Sequence, residues 1–321
     1  MWSLPDQHHV SQTLYSHCEL QDQQQGFSKR LDPIHAGQIN RQGPISPRVR
    51  LAHTSKVKML RKLRALFAGR TLAPQSTPRR RIHLGEEQPS YPVYAIGDVH
   101  GCLSLLKGAE ERIAADIDRL GKKGLVVLLG DYVDRGPHSA GVISHLMAPS
   151  AFGLKRVALC GNHDDVFASL LDQPEKIPDW ISFGGRETLM SYGIDFDQLH
   201  DRRQTDPATL SAVIRDAVPT SHITFLQNMP ICLQIGKFLF VHAGLRPGID
   251  LDRQSDEDMM WIREPFLTNG PELALTVIHG HTPSVKASIG PGRIGIDTQA
   301  YSTGELTVLR LLDGSASILP P

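Results

Sequence analysis

Five short stretches of the chain set metal-binding side chains beside glycine: GDVHG at 97–101, GDYVDRG at 130–136, GNHD at 161–164, VHAG at 241–244 and HGHT at 279–282. Together they supply Asp98, His100, Asp131, Asn162, His242 and His281, an oxygen and imidazole set suited to first-row divalent metals without any thiolate. Two ions about 3.5–4 Å apart need a ligand that bridges them. A carboxylate does this best, having two oxygens and a compensating charge, and Asp131 is the expected bridge. Asp98 and His100 would complete the protein ligands of one ion, and Asn162, His242 and His281 those of the other. Such a pair lowers the pKa of a shared water enough to supply hydroxide near neutral pH, a hydrolytic nucleophile.

These residues have to be positioned by something, and the apolar pattern says what. Val93 to Ile96, Leu125 to Leu129 and Leu154 to Leu159 are short apolar runs, each followed by glycine and polar residues, which reads as buried strands ending in loops. Helical periodicity fills the gaps, over about Leu103 to Leu120 and His138 to Met147, so the order is βαβαβ. Residues 166–230 contain no convincing strand and carry helical stretches around Glu187 to Tyr192 and Pro207 to Ala217, which reads as a helical cap. Further strands are expected at Ile231 to Ile235, Phe238 to Val241, Leu275 to Ile278, Arg293 to Ile296 and Leu306 to Leu311. A second sheet stacked on the first gives an α/β fold, a four-layer α/β/β/α sandwich with a cap, over residues 89–321. Strand-end loops are where such folds place their sites.

With five motifs in one order, the chain from Ala95 to Thr282 resembles the calcineurin-like metallophosphoesterases and, within them, the phosphoprotein phosphatase family. The stretches WISFGGRET (Trp180 to Thr188) and IDTQAYSTGELT (Ile296 to Thr307) are similar to the bacterial branch of serine/threonine phosphatases. The resemblance implies the ligand roles given above and adds others. His163 would be the general acid, oriented by Asp134. Arg135, Asn162 and Arg263, the last in MWIRE, would hold the substrate phosphate, a planar guanidinium matching two phosphate oxygens at once; a surface salt bridge is the other reading of Arg263. It also implies two divalent ions, manganese first with iron or zinc as alternatives, and phosphorylated serine or threonine of a protein as substrate. Symmetrical hydrolysis of diadenosine tetraphosphate is the alternative, since that related family has a very similar metal core. A non-catalytic scaffold acting through its basic arm is a third reading, disfavoured by the complete ligand set. The chain lacks a SAPNYC loop and has Ala243 where eukaryotic members commonly carry glycine, which argues against eukaryotic-type regulatory subunits.

The 321 residues carry no net charge, but the zero is composite. Residues 48–83 hold eleven Lys or Arg and no acid, leaving 23 basic against 34 acidic residues elsewhere, a net of −11. Residues 1–88, rich in Gln, His, Ser, Pro and Arg, read as a mostly disordered leader. Within it Val57, Leu60, Leu63, Leu66 and Phe67 recur at helical spacing among lysines and arginines, a basic amphipathic helix able to touch an anionic surface through the 48–83 segment. Met59 is an alternative start to Met1. No apolar run approaches the roughly 18 residues of a membrane span, and no signal-peptide order is present, so the expected location is the cytoplasm. Cys18, Cys102, Cys160 and Cys232 show no CxxC spacing and read as reduced packing residues. His279 is expected on the same face as His281, as an outer hydrogen-bond partner and not a ligand.

Overall fold

Alternation along each strand builds two packed sheets, and the computed structural model describes them within residues 78–321. In β2 (Val93–Ile96) and β3 (Leu125–Leu128), Val93, Ala95 and Val127 face an apolar layer shared with Leu233, Phe238, Phe240 and Ile278 of the other sheet. Tyr94, Ile96, Val126 and Leu128 face the opposite way, onto helices. The period of two thus gives each sheet one face for its partner sheet and one for helices. The five-stranded sheet runs β11-β10-β2-β3-β4 and the six-stranded sheet β1-β5-β6-β7-β9-β8, where β1 is Arg81–His83, β4 Lys155–Ala158, β5 Cys232–Ile235, β6 Phe238–Val241, β7 Thr276–His279, β8 Ser288–Gly290, β9 Arg293–Gly295, β10 Val308–Leu312 and β11 Ser315–Ile318. Strands β2, β3 and β4 are parallel, joined through α1 (Leu103–Leu120) and α2 (Ser139–Met147). The expected four-layer sandwich is therefore present, and residues 166–230 contain helices and no strand.

The chain enters α3 (Asn162–Ser169) directly from the end of β4. The cap continues through α4 (Ile177–Trp180), a wide turn at Ile181–Gly185, α5 (Arg186–Ser191), α6 (Phe196–Asp201), α7 (Pro207–Ala217) and α8 (Thr220–Gln227). Asp195 and Asp206 cap α6 and α7 by accepting backbone N–H groups of Gln198 and Thr209. After β6 come α9 (Asp256–Trp261) and α10 (Phe266–Asn269), and after β9 the one-turn α11 (Ala300–Thr303). Among the described residues no helix is long and apolar enough to cross a membrane.

Arg81–His83 pair in parallel with Cys232–Gln234, so β1 lies within the stretch read as leader from sequence. A three-residue strand among arginines shows no alternation of its own; it is held by its neighbour and by side-chain contacts. Arg79 and Arg81 of the basic run are accordingly committed to the protein body. The basic helix around residues 56–67, the Met59 start and the leader's disorder all lie outside the described residues.

Candidate metal centre

Asp98 and His100 follow β2, Asp131 follows β3, Asn162 and His163 open α3 after β4, His242 follows β6, and His281 follows β7. The ends of five strands thus converge, and all seven side chains are buried. Holding them together strains the backbone. His100, Asp131, Asp134, Arg135 and His281 have φ of 42°, 54°, 71°, 69° and 62°, the left-handed region that non-glycine residues rarely occupy and that collects at functional sites. Gly280 is required for closure, because a Cβ there would overlap the Asp98 carboxylate.

The hydrogen bonds fix which nitrogens face the site. His100 donates from Nδ1 to the Val133 carbonyl and His242 from Nδ1 to the Leu129 carbonyl, both at 2.9 Å. Each ring therefore turns its Nε2 lone pair inward. His100 Nε2 lies 3.5 Å from Asp131 Oδ2, and His242 Nε2 lies 3.4 Å from Asp131 Oδ1. Asn162 Oδ1 adds a further oxygen 2.9 Å from His242 Nε2 and 2.8 Å from His281 Nδ1. Acceptors that face one another at this range repel unless a cation lies among them, and the spacing suits neighbouring ligand atoms each about 2.0–2.2 Å from one ion. Burial, then the Arg135 charge, pushes His100 well below its ordinary pKa, and burial, then Arg263, does the same to His281. Both are kept as neutral rings, the form that ligates.

The carboxylates tell the same story. Burial, then Asp297 and Asp131, pushes Asp98 well above the usual carboxylate range. Burial opposes ionisation of Asp131 too, but His242, His163, His100 and Arg135 around it prevail and hold it below that range. A buried cluster of acids of this kind calls for positive charge, so the donor set fits divalent ions. Two overlapping groups, Asp98–Asp131–His242 and His100–Asp131–His163, each bring their donor atoms within 4.8 Å of one another. Asp131 belongs to both, as a bridge must. Asp98 also accepts the His281 N–H at 3.0 Å.

Asp134 and His163 form a buried pair, with His163 Nδ1 2.6 Å from Asp134 Oδ2. The cap segment WISFGGRET, which carried only a resemblance in the sequence, holds this pair in place. Trp180 Nε1–H donates to the Asp134 carboxylate at 3.0 Å, Thr188 Oγ1 donates to it at 2.7 Å and accepts the Asp134 N–H at 2.8 Å. Gly184 accepts the Arg135 N–H at 2.9 Å. A Cβ on Gly184, whose φ is 108°, would sit 2.8 Å from Arg135 Cγ. Trp180→Phe removes one donor and keeps the ring; we expect turnover at saturating metal to fall about tenfold with metal content unchanged. Metal loss equal to the activity loss would count against an orienting role.

Two guanidiniums adjoin the centre. Arg135 donates from NH1 to His100 Nε2 at 3.0 Å and from NH2 to His163 Nε2 at 2.9 Å, with its Cζ 5.1 Å from the Tyr301 ring centre. Arg263 makes no ion pair with a described residue, against the salt-bridge reading. It donates from NH2 to the His281 carbonyl, and its buried Nε has no partner; nor has the buried Thr282 Oγ1. Unpaired buried donors beside a second guanidinium suit an anionic ligand.

His279 is not on the His281 face. It packs its ring on Phe266 with Nδ1 at the Gly280 carbonyl, because the strand ends at His279 and the left-handed turn at His281 breaks the alternation. The sequence reading missed two carboxylates. Asp297, 3 % exposed, lies within IDTQAYSTGELT and charges the Asp98 neighbourhood. Asp164, the last residue of GNHD, accepts the backbone N–H groups of Asp131, Tyr132 and Gly161 at 2.8–2.9 Å, tying two ligand loops together.

Residues 91–313 match the calcineurin-like phosphoesterase family. A symmetrical bis(5'-nucleosyl)-tetraphosphatase of Dechloromonas aromatica is 30% identical over 156 residues, 48% of this chain and 44% of that protein. The chain thus matches less than half the length of that relative. The asymmetrical bis(5'-nucleosyl)-tetraphosphatase PrpE of Anoxybacillus flavithermus is 24% identical over 238 residues, 67% of this chain and 88% of that one. A solved structure provisionally named a diadenosine tetraphosphatase shares the fold, with a TM-score of 0.51 at 21% identity over 75% of this chain and 98% of that one.

Proposed function

The chain belongs to the calcineurin-like phosphoesterase family, and from that premise we propose that it is a binuclear-metal hydrolase that cuts a phosphoanhydride bond of a dinucleoside tetraphosphate. The observation that carries the hydrolase reading is Asp131, whose two oxygens face His100 on one side and His242 on the other. The substrate follows the names of the curated relatives, which moves the dinucleotide ahead of the phosphoserine or phosphothreonine first expected.

Two divalent ions at this centre, manganese first as the family resemblance implies with iron or zinc as alternatives, would supply Lewis acidity toward the phosphoryl oxygens and acidify the attacking water. The residues that would hold them are Asp98, His100, Asp131, Asn162, His242 and His281. The protein's own groups do the rest. Arg135 and Arg263 bind the equatorial oxygens as charge develops on them. Arg135 now donates to the lone pairs of His100 and His163, which the reaction needs for ligation and proton transfer, so it turns from them to the substrate on the flat face of Tyr301. As the oxygen of water bonds to phosphorus, the bond to the leaving oxygen opposite it breaks. His163, with Nδ1 fixed by Asp134, delivers a proton from Nε2 to that oxygen.

That last pair favours a second reading, a protein serine/threonine phosphatase, because an alkoxide needs a proton on departure more than a nucleotide phosphate does. The deciding experiment is turnover by metal-stripped protein repleted with manganese, on diadenosine tetraphosphate and on a phosphoserine peptide side by side. A higher kcat/KM on the dinucleotide is expected. A preference for the peptide would overturn the substrate and keep the centre; no turnover of either would favour the scaffold.

A further inference from the structure

The strap at Arg79–His83 lies ahead of the stretch that matches the family, yet it reaches the metal-bearing helix. Arg79 donates from NH1 to the carbonyls of Leu226, Gln227 and Met229, at the C-terminus of α8, over 2.9–3.2 Å. From NH2 it pairs with Asp165 in the first turn of α3 at 2.8 Å. Its backbone N–H donates to Asp256 at the start of α9. The guanidinium side chain is 12 % exposed. One cation therefore satisfies carbonyls that a helix C-terminus leaves without partners and neutralises an acid at a neighbouring helix N-terminus.

What α3 carries makes this matter. Its first two residues are Asn162 and His163, and Asp164 beside them holds the Asp131 and Tyr132 amides. The His163 N–H also donates to Asp131 Oδ1 at 3.0 Å. A shift of α3 against α8 therefore moves an oxygen ligand, the acid and the bridging carboxylate together. We propose that Arg79 is a positioning residue for the metal centre, fixing α3 against α8 so that Asn162 and His163 stay in place on Asp131. Arg81 supplies the contrast. It binds the carbonyls of Leu251 and Gln254 and the Asp256 carboxylate, on the α9 side of the strap, and makes no contact with α3.

The proposal rests on the metal centre and not on the choice of substrate, so manganese binding to the full chain is measured directly, by equilibrium dialysis, alongside melting temperature and steady-state kinetics. Arg79→Met is expected to weaken manganese binding about 10- to 100-fold and to lower kcat at saturating manganese with KM held, and Arg79→Lys to recover part of both. Asp165→Asn, which removes the charge from the same contact at a part-exposed residue and leaves the carbonyl bonds in place, is expected to weaken binding in the same direction, by less than Arg79→Met. Arg81→Met should lower the melting temperature while manganese affinity stays within about twofold of the parent. Equal weakening by Arg79→Met and Arg81→Met would overturn the proposal, reducing the strap to general stability. Parental manganese affinity in Asp165→Asn would also overturn it, and that variant decides if Arg79→Met does not fold. Failure of the parent itself to bind manganese is a separate result, which would strike the metal centre.

Discussion

Asp131→Asn is expected to release both ions and to lower turnover at least about a thousandfold, because the asparagine offers one neutral oxygen where the carboxylate offers two charged ones. The two oxygens of Asp131 face different histidines, 3.4 Å and 3.5 Å away, so the carboxylate directs an atom to each side. The charge matters as much as the geometry. Although burial opposes it, the surrounding side chains, Arg135 among them, hold Asp131 below the usual carboxylate range, and its carboxylate also accepts the His163 N–H. Removing it takes a ligand from each ion and a tether from α3 in one change. Metal content by elemental analysis and turnover with added manganese check this together. An Asp131→Asn protein that keeps both ions would refute the bridge.

His163→Ala should separate acid catalysis from metal binding and also separate substrates. With Nδ1 held by Asp134 at 2.6 Å, the ring's Nε2 is the atom left to serve the leaving oxygen. Loss of a positioned general acid costs roughly 10²- to 10⁴-fold when the departing group is a strongly basic alkoxide. A nucleotide phosphate leaves as a weak base, so about tenfold is expected on diadenosine tetraphosphate, following the same proton-transfer sensitivity. On phosphoserine the larger loss is expected, with metal content intact in both cases. Equal losses on the two substrates would show that His163 does something other than protonate, and the group His100–Asp131–His163 identifies ligation as that role.

Much of the architecture was legible because its causes are local. The strands at 93–96, 125–128 and 238–241 are short apolar runs whose two faces both pack, and each runs into a short motif holding a candidate ligand and a glycine, so position and chemistry are written in the same few residues. Helical periodicity marked two of the cap helices, α5 and α7, in the same way. The short edge strands were not legible. Arg81–His83 carries no alternation, and Ser315–Ile318 is exposed throughout; both exist because a longer neighbour offers backbone partners.

The sequence by itself determined the two-sheet scaffold and picked out the candidate metal donors together with His163, Asp134 and Arg135, since each candidate lies in a motif whose glycines and residue types are contiguous. Tertiary structure alone decided how those donors face one another and what holds them. Trp180 and Thr188 lie 46 and 54 positions from Asp134 along the chain, and Arg79 lies 86 from Asp165. Contacts over such separations leave no local pattern, because any polar residue on a suitable element could make them. The same reason made His279 misleading: strand alternation predicts faces only while the chain stays extended, and the turn at His281, with φ of 62°, is imposed by closing the site around Asp98.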